Sequence, residues 1–348
     1  MLNNGSQDVA LAVPSQPFVT VLIDTYNYAR YIGQAIDSVL SQDYPADRYE
    51  VIVVDDGSTD NTADIVRVYG SRVQYFLKSN GGQASAFNFG FSKVTGDIVA
   101  LLDADDIWLP DKLKKVAEAF LANADVNLVY HSFSIMEEGS GNKTPSGYAL
   151  VSGDIARNRK TLLSYCIYPT SSLTFRRSAL EKLLPVPEGL RTQADAFLAA
   201  LIVFFGRIAA IPERLMCYRI HDANCFGMFP QRLDENRLAQ RMEIRRYLIV
   251  ALRAWLTANR SVCNPVLAED YLAQWSMEQK RDAFQLSMPG RSVLFRHLSE
   301  EARLYRELRS SRHRALARIR AIVGFVMGYK GLLRFDDWYT RLKQSAPG

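Results

Sequence analysis

Long apolar runs are missing from this sequence. No stretch reaches the roughly 18 apolar residues of a membrane-spanning helix. The longest candidates, 196–205 and 321–327, are short and run into polar or basic residues, and the first reads as a core helix. Cysteine is also scarce. Cys166, Cys217, Cys225 and Cys263 lack metal-site spacing and are too few for a disulfide scaffold, so a reducing cytoplasm is the expected compartment. Residues 1–16 have neither the basic start nor the apolar core of a secretion signal and read as a flexible N-terminus. The first apolar run is followed by no Gly-x-Gly-x-x-Gly, which argues against a dinucleotide dehydrogenase. No Gly-x-x-x-x-Gly-Lys-[Ser/Thr] occurs, which argues against a P-loop enzyme.

What is present is a core-forming chain with uneven charge. Its 348 residues are 48% hydrophobic, enough for one large domain with an appendage, or two domains. Residues 291–348 hold 13 Lys+Arg against 5 Asp+Glu, a net of +8, so the remaining 29 basic and 32 acidic residues net −3. Any anionic surface is therefore expected to meet the tail.

Apolar runs and helical periodicity alternate along the first half. Phe18 to Ile23 reads as a strand, and Ile32, Ala35, Ile36, Val39 and Leu40 as the buried stripe of a helix. Val51 to Val54 is a continuously apolar strand, as buried parallel strands are. A helix through Ile65 and Val66, a strand at 73–77 and a helix near 83–93 follow. The next strand is 97–102, then a helix through Leu113, Val116, Ala117, Phe120 and Leu121, then a fifth strand from Leu128. This order implies an α/β fold with a doubly wound, mostly parallel sheet, helices on both faces and right-handed crossovers. Polar clusters sit after strands one, two and four, at 24–27, 55–60 and 103–106. All three leave carboxyl ends of strands, so they are expected to converge on one ligand crevice.

The cluster Asp103-Ala104-Asp105-Asp106 carries the most chemistry. Asp103 and Asp105 are two apart and point the same way on an extended backbone. Two hard oxygen ligands on one side suit Mg²⁺ or Mn²⁺ shared with a diphosphate. The plainer reading is a polar turn before the next helix, with Asp106 or Asp111 as its cap.

Taken together, several segments resemble glycosyltransferase family 2, with the GT-A fold. They are 19–27, Val53 to Asp60, Asn80-Gly81-Gly82, Ala86 to Gly90, Asp103-Ala104-Asp105, Ser172 to Arg177, Asp195 and Tyr218-Arg219-Ile220-His221, and the likeness spans about 17–224. It implies a metal-assisted, inverting transfer of one sugar from a nucleoside-diphosphate sugar, with UDP as the expected nucleotide. Thr25, Tyr26 and Asn27 would surround the base. Asp56, beside Asp55, would accept a ring N–H, while Ser58 and Asp60 could serve only as helix caps. Asn80 and Gly82 would face the nucleotide. Asp103 and Ala104 would meet the ribose, Asp103 and Asp105 the metal, with His221 near the metal and Arg219 balancing phosphate charge. Asp195 would be the general base, its plainer reading being a helix N-cap.

The sequence departs from the family pattern where Phe87 stands in place of a common Arg, where Asp24 takes a place commonly held by Pro, and where Ala194 precedes Asp195 in place of Glu. The Gln-x-x-Arg-Trp motif of processive synthases is absent, which favours single transfer. The acceptor would be a hydroxyl on a saccharide, a lipid-linked saccharide or a protein, in cell-surface polysaccharide or glycolipid synthesis. Residues 132–190 should shape its pocket, with Tyr165, Tyr168, Thr170 and Ser171 as sugar contacts or core, and 139–147 as a flexible loop. The rivals are an inactive nucleotide-binding scaffold and a nucleotidyltransferase of related fold; the second would need a basic, Gly-rich loop after the first strand, which 24–27 does not supply.

Three segments follow: a flexible start at 1–16, the transferase domain at 17–225 and a basic helical region at 226–348. In the last, Leu298, Ala302, Tyr305 and Leu308 share a face. One reading rests this region on the inner face of a membrane; the other packs it on the core or in a homodimer, its charges solvated, and the commonness of basic helix faces favours the second. Nucleic acid fits poorly, because the excess charge is confined to one apolar-containing tail.

Overall fold

The structure is a computed structural model that describes residues 16–148, 150–165, 168–221, 235–287, 290–304 and 311–344. Four parallel strands form its centre: β1 (Val19–Thr25), β2 (Tyr49–Asp55), β3 (Gln74–Leu77) and β4 (Ile98–Asp103), ordered β3-β2-β1-β4. Val51 to Val54 and Ile98 to Leu102 are buried on both faces, which is why they read as unbroken apolar runs. The connecting helices are α1 (Ala29–Leu40), α2 (Thr62–Arg67) and α3 (Gln83–Phe91). In α1 the expected stripe residues Ile32, Ala35, Ile36 and Val39 are fully buried, and Leu40 is half-buried at the helix end.

Beyond β4 the sheet departs from a simple parallel continuation. β5 (Ile107–Trp108) follows β4 at once, then α4 (Lys112–Ala122) and β6 (Val126–Glu137), the strand expected from Leu128. β6 does not lie beside β4. The three-residue strand β8 (Thr174–Arg176) stands between them, antiparallel to both. β9 (Arg207–Ile220) runs parallel to β6 with three register shifts, and β5 pairs antiparallel at its far edge. β5 and β8 are too short to show a period, and both are held by partners distant in sequence. The 139–147 loop is a hairpin arm in which β7 (Lys143–Pro145) pairs with β6, with Gly139, Gly141 and Gly147 at positive φ.

Helices α5 (Arg159–Ser164), α6 (Arg177–Leu180) and α7 (Ala194–Ile202) complete this part. The later region is helical, as its pattern implies: α8 (Glu235–Ala258), α9 (Pro265–Ser287), α10 (Arg291–Leu304) and α11 (Ser311–Gln344), the last broken at Gly328 (φ 70°). Leu248, Leu252 and Leu256 of α8 and Tyr271 and Leu272 of α9 belong to the same apolar core as the sheet. α10 and α11 have a separate small core of Leu294, Leu298, Ala321 and Leu332. The expected boundary at 225, together with Tyr305, Leu308, Cys166 and Cys225, lies outside the described residues, as do 1–15. Cys217 and Cys263 are buried free thiols. Among the described residues, no helix is long and apolar enough to cross a membrane.

Candidate active site

The carboxyl ends of β1, β2 and β4 bring the three polar clusters together, as strand topology requires. Asp24 is level with Asp103 across β1 and β4, and Thr25 with Asp55 across β1 and β2. They open into a cleft of about 1420 Å³. Thr25, Tyr26, Asn27, Asp56, Asn80, Gly82, Asp103, Ala104, Asp105 and Asp195 line it, as the sequence leads one to expect. Asp55, Ser58, Arg219 and His221 are not on its wall; they lie behind it.

Each of these four holds a wall residue or its neighbours. Asp55 Oδ1 accepts the Ser58 N–H at 2.7 Å, and Oδ2 accepts the Tyr75 hydroxyl at 2.7 Å. Ser58 Oγ accepts the Asn27 N–H at 2.8 Å, while Asn27 Oδ1 accepts the Thr59 N–H at 2.8 Å, which stabilises Asn27 in its left-handed conformation (φ 58°). Ser58 is therefore a loop clasp and not a cap of α2, whose N-terminus has Asp60 accepting from Thr62.

Asp56 is buried and heavily engaged. Its carboxylate accepts from Lys78 Nζ at 2.7 Å, from the Gly81 N–H at 2.9 and 3.1 Å, and from the Gly82 N–H at 2.6 Å. A ring N–H would have to share those oxygens with the chain's own donors. Asn80 Nδ2 donates to the Asp56 carbonyl at 2.9 Å, and Asn80 Oδ1 accepts from Arg191. Gly82 has φ 87°, and a Cβ there would sit 2.5 Å from Arg191 Cα. Only glycine allows the turn to approach that backbone so closely.

The acidic cluster is crowded. One carboxylate oxygen from each of Asp103, Asp105 and Asp106 lies within 4.8 Å of the others. Burial, then the neighbouring Asp24 and Asp105, pushes the Asp103 carboxyl well above its ordinary range. Burial, then Asp105, does the same for Asp106. Asp24 is pushed up to about 8 by burial and then by Asp195. Among the described residues, Asp24 Oδ1, Thr25 Oγ1 and Asp106 Oδ2 are shielded from solvent without a hydrogen-bond partner. Crowded hard oxygens of like charge, some unpartnered, fit a divalent cation.

Asp106 is the residue that sequence reasoning undervalued. It does not cap α4: its Oδ1 accepts the Arg219 N–H at 2.9 Å, and the N-cap of α4 is Asp111, which makes no side-chain cap bond. Its signal was present as the third carboxylate of the run. His221 Nε2 lies 2.9 Å from Asp105 Oδ2, with its ring 4.6 Å from that of Tyr31. Arg219 donates through Nε to the Asp105 carbonyl at 2.7 Å and through its terminal nitrogen to Gln34 at 2.8 Å. Both side chains thus orient the Asp105 segment from behind. Below it, fully buried Lys112 donates to the Ser171 carbonyl and stands 3.5 Å over the Trp108 ring; burial holds its ammonium well below the usual lysine range.

Also on the cleft wall, Asp195 sits in the first turn of α7, near enough to Asp24 for its charge to act on that carboxyl. The N-cap there is Gln193 (φ 62°), so Asp195 is not the cap. Thr170 Oγ1 donates to Asp195 Oδ2 at 3.0 Å, and burial lifts the Asp195 carboxyl above its ordinary range. Tyr165, Tyr168 and Thr170 line the cleft; Ser171 does not, and its Oγ accepts the Asp103 N–H at 3.0 Å. A further part of the wall comes from α8 and α9, through Gln240, Arg241, Arg245, Tyr247, Gln274 and Trp275. Gly189 makes room for the Tyr247 ring, which any Cβ there would strike. Nothing in the local sequence marks this wall, because its approach to the site is a long-range contact.

Comparison with known proteins bears on these features. The model of the family described as "Glycosyl transferase family 2" matches residues 20–184. An uncharacterized glycosyltransferase of Nostoc sp. is 39% identical over 217 residues, covering 59% of this chain and 66% of that protein. One of Rickettsia typhi is 32% identical over 232 residues, covering 63% of this chain and 69% of that protein. The crystal structure of S. aureus TarS 1–349 in complex with UDP-GlcNAc superposes with a TM-score of 0.58 at 20% identity, over 88% of this chain and 89% of TarS 1–349. The structural likeness establishes the GT-A architecture of the sheet and its helices. The sequence relationship, held across more than two thirds of the Rickettsia protein, establishes descent, and the chain belongs to glycosyltransferase family 2 as a glycosyltransferase.

Proposed function

We propose that this transferase moves a single sugar from a nucleoside-diphosphate sugar, UDP-linked, to a hydroxyl acceptor with inversion at the sugar carbon. The observation that carries the reading is one cleft lined by both a carboxylate cluster and Asp195, which Thr170 aligns. The donor loop 24–27 and the turn at Asn80 and Gly82 would hold the nucleotide. TarS, bound to UDP-GlcNAc in its own structure, supports the choice of nucleotide.

Asp103, Asp105 and Asp106 would hold Mg²⁺ or Mn²⁺, which when bound supplies Lewis-acid stabilisation of the departing diphosphate. Arg219 and His221 fix the backbone and the carboxylate of Asp105. Asp195 Oδ2, already accepting from Thr170, would turn its carboxylate to the acceptor hydroxyl and take its proton as the oxygen attacks. Its raised pKa makes it a stronger base than an exposed aspartate. The tyrosines and the α8–α9 wall would shape the acceptor side. On this reading residues 17–225 form the transferase unit and 226–348 a helical region whose first two helices complete the cleft, serving polysaccharide or glycolipid synthesis.

Two measurements test this reading. Calorimetric titration with UDP, GDP, dTDP and CDP, with and without Mn²⁺, should show metal-dependent binding of UDP that is lost in Asp105→Ala. Asp195→Asn should retain that binding and lose transfer by on the order of 10²–10⁴-fold. Metal-independent binding would remove the metal from the mechanism. Full turnover in Asp195→Asn would remove Asp195 from the base role. Nucleotide binding with no transfer to any acceptor would favour the inactive nucleotide-binding scaffold, and absence of all nucleotide binding would remove the donor site.

A further inference from the structure

The outer helices carry a surface that the cleft does not explain. α10 and the first segment of α11 meet through a narrow seam: a Cβ on Gly324 would lie 2.9 Å from Leu298 and 3.0 Å from Leu294, and Ala321 is buried beside them. On the other side of α11, Ile319, Ile322, Phe325 and Val326 fall within about a third of the helix circumference at 100° per residue. All four are exposed, Ile322 at 59% and Val326 at 57%. Phe295 of α10 extends this stripe, its ring 5.4 Å from that of Phe325, and Leu333 and Trp338 are exposed beyond the break at Gly328.

The charges around this stripe have one sign. Among the described residues of α10 and α11, the charged residues that are exposed are Arg291, Arg296, Arg303, Lys330 and Arg334, and all are cationic. The acids with described side chains are less exposed and paired: Glu300 with Lys280 at 3.5 Å, and Glu301 and Asp336 with Arg320 at 3.8 and 2.7 Å.

We propose that this face rests on a lipid surface bearing anionic headgroups, with the apolar stripe at the headgroup–acyl boundary and the cations on lipid phosphates. Charge complementarity selects this occupant. A second copy packed symmetrically would set arginine against arginine around the stripe. A nucleic acid would take the cations but leave the stripe in water. No described helix spans a bilayer, so the contact is peripheral.

Co-sedimentation of the full chain with vesicles tests the assignment. It should bind vesicles of phosphatidylcholine mixed with phosphatidylglycerol, not phosphatidylcholine alone, and lose binding as salt is raised. Ile322→Asp with Val326→Asp should abolish sedimentation, and Arg296→Gln with Arg334→Gln should weaken partitioning about thirty-fold. Circular dichroism checks folding, and the arginine pair remains decisive if the aspartate pair unfolds. Absence of binding to mixed vesicles, or unchanged binding in the folded variants, would overturn the proposal. So would a dimer in light scattering that the aspartates dissociate.

Discussion

Asp24→Asn isolates the electrostatic cost of the cleft. The Asp24 carboxyl is raised from 3.8 to about 8, by burial first and by Asp195 second. Below about pH 4 the group is protonated in both the folded and the unfolded chain. Between about pH 4 and about pH 8 the unfolded chain releases the proton while the folded one keeps it, so stability contributed by the protonated form is lost as pH rises. The full linkage is about 4 units at 1.36 kcal/mol each, or roughly 6 kcal/mol. The cleft is open to solvent and its polar groups relax, so about half, near 3 kcal/mol, is the expected change. Asn is isosteric, and because Oδ1 has no partner among the described residues, the substitution breaks no side-chain bond at that atom. Urea unfolding in EDTA, followed by tryptophan fluorescence at about pH 5 and about pH 8, covers about 3 of those 4 units and should show the native chain losing about 2 kcal/mol more than the variant. Mn²⁺ should restore the native chain at the higher pH, since the cation replaces the proton as the compensating charge. Identical pH slopes for the two chains would refute the reasoning.

Gly82→Ala places a methyl group 2.5 Å from the Arg191 backbone at φ 87°; a loss of about 2–3 kcal/mol is expected, with weakened nucleotide binding, and an unchanged melting temperature would contradict it. Thr170→Val removes the 3.0 Å bond to Asp195; steady-state kinetics should show kcat lower by about tenfold at unchanged donor KM, and a rise in donor KM alone would place Thr170 in donor binding instead.

The central sheet was legible because burial on both faces writes itself into composition. Val51 to Val54 and Ile98 to Leu102 could be read as parallel strands without any partner in view, and strand polarity then placed Asp24, Asp56 and Asp103 together. β5 and β8 were not legible, since two or three residues carry no period and their pairing is set by β9, β4 and β6. The roles of Asp56 and Asp106 were obscured for another reason. A carboxylate in a motif shows that acceptors are needed there, but not which donors reach them, and here Lys78, Gly81, Gly82 and Arg219 arrive from elsewhere in the chain. Asp195 was visible by position, while the Thr170 hydroxyl that orients it, 25 residues earlier, became meaningful only in three dimensions.

The wall built by α8 and α9 lies beyond residues 20–184, the stretch that the family model matches. The cleft is therefore assembled from two separate stretches of the chain. The strand ends must keep their carboxylates and turn geometry for any donor to be held. Leu248, Leu252 and Tyr271 hold these helices to the core, while Gln240 and Tyr247 face the cleft. On the proposed function, a change of acceptor would need substitutions on two helix faces only, and would leave the strand ends that hold the nucleotide as they are.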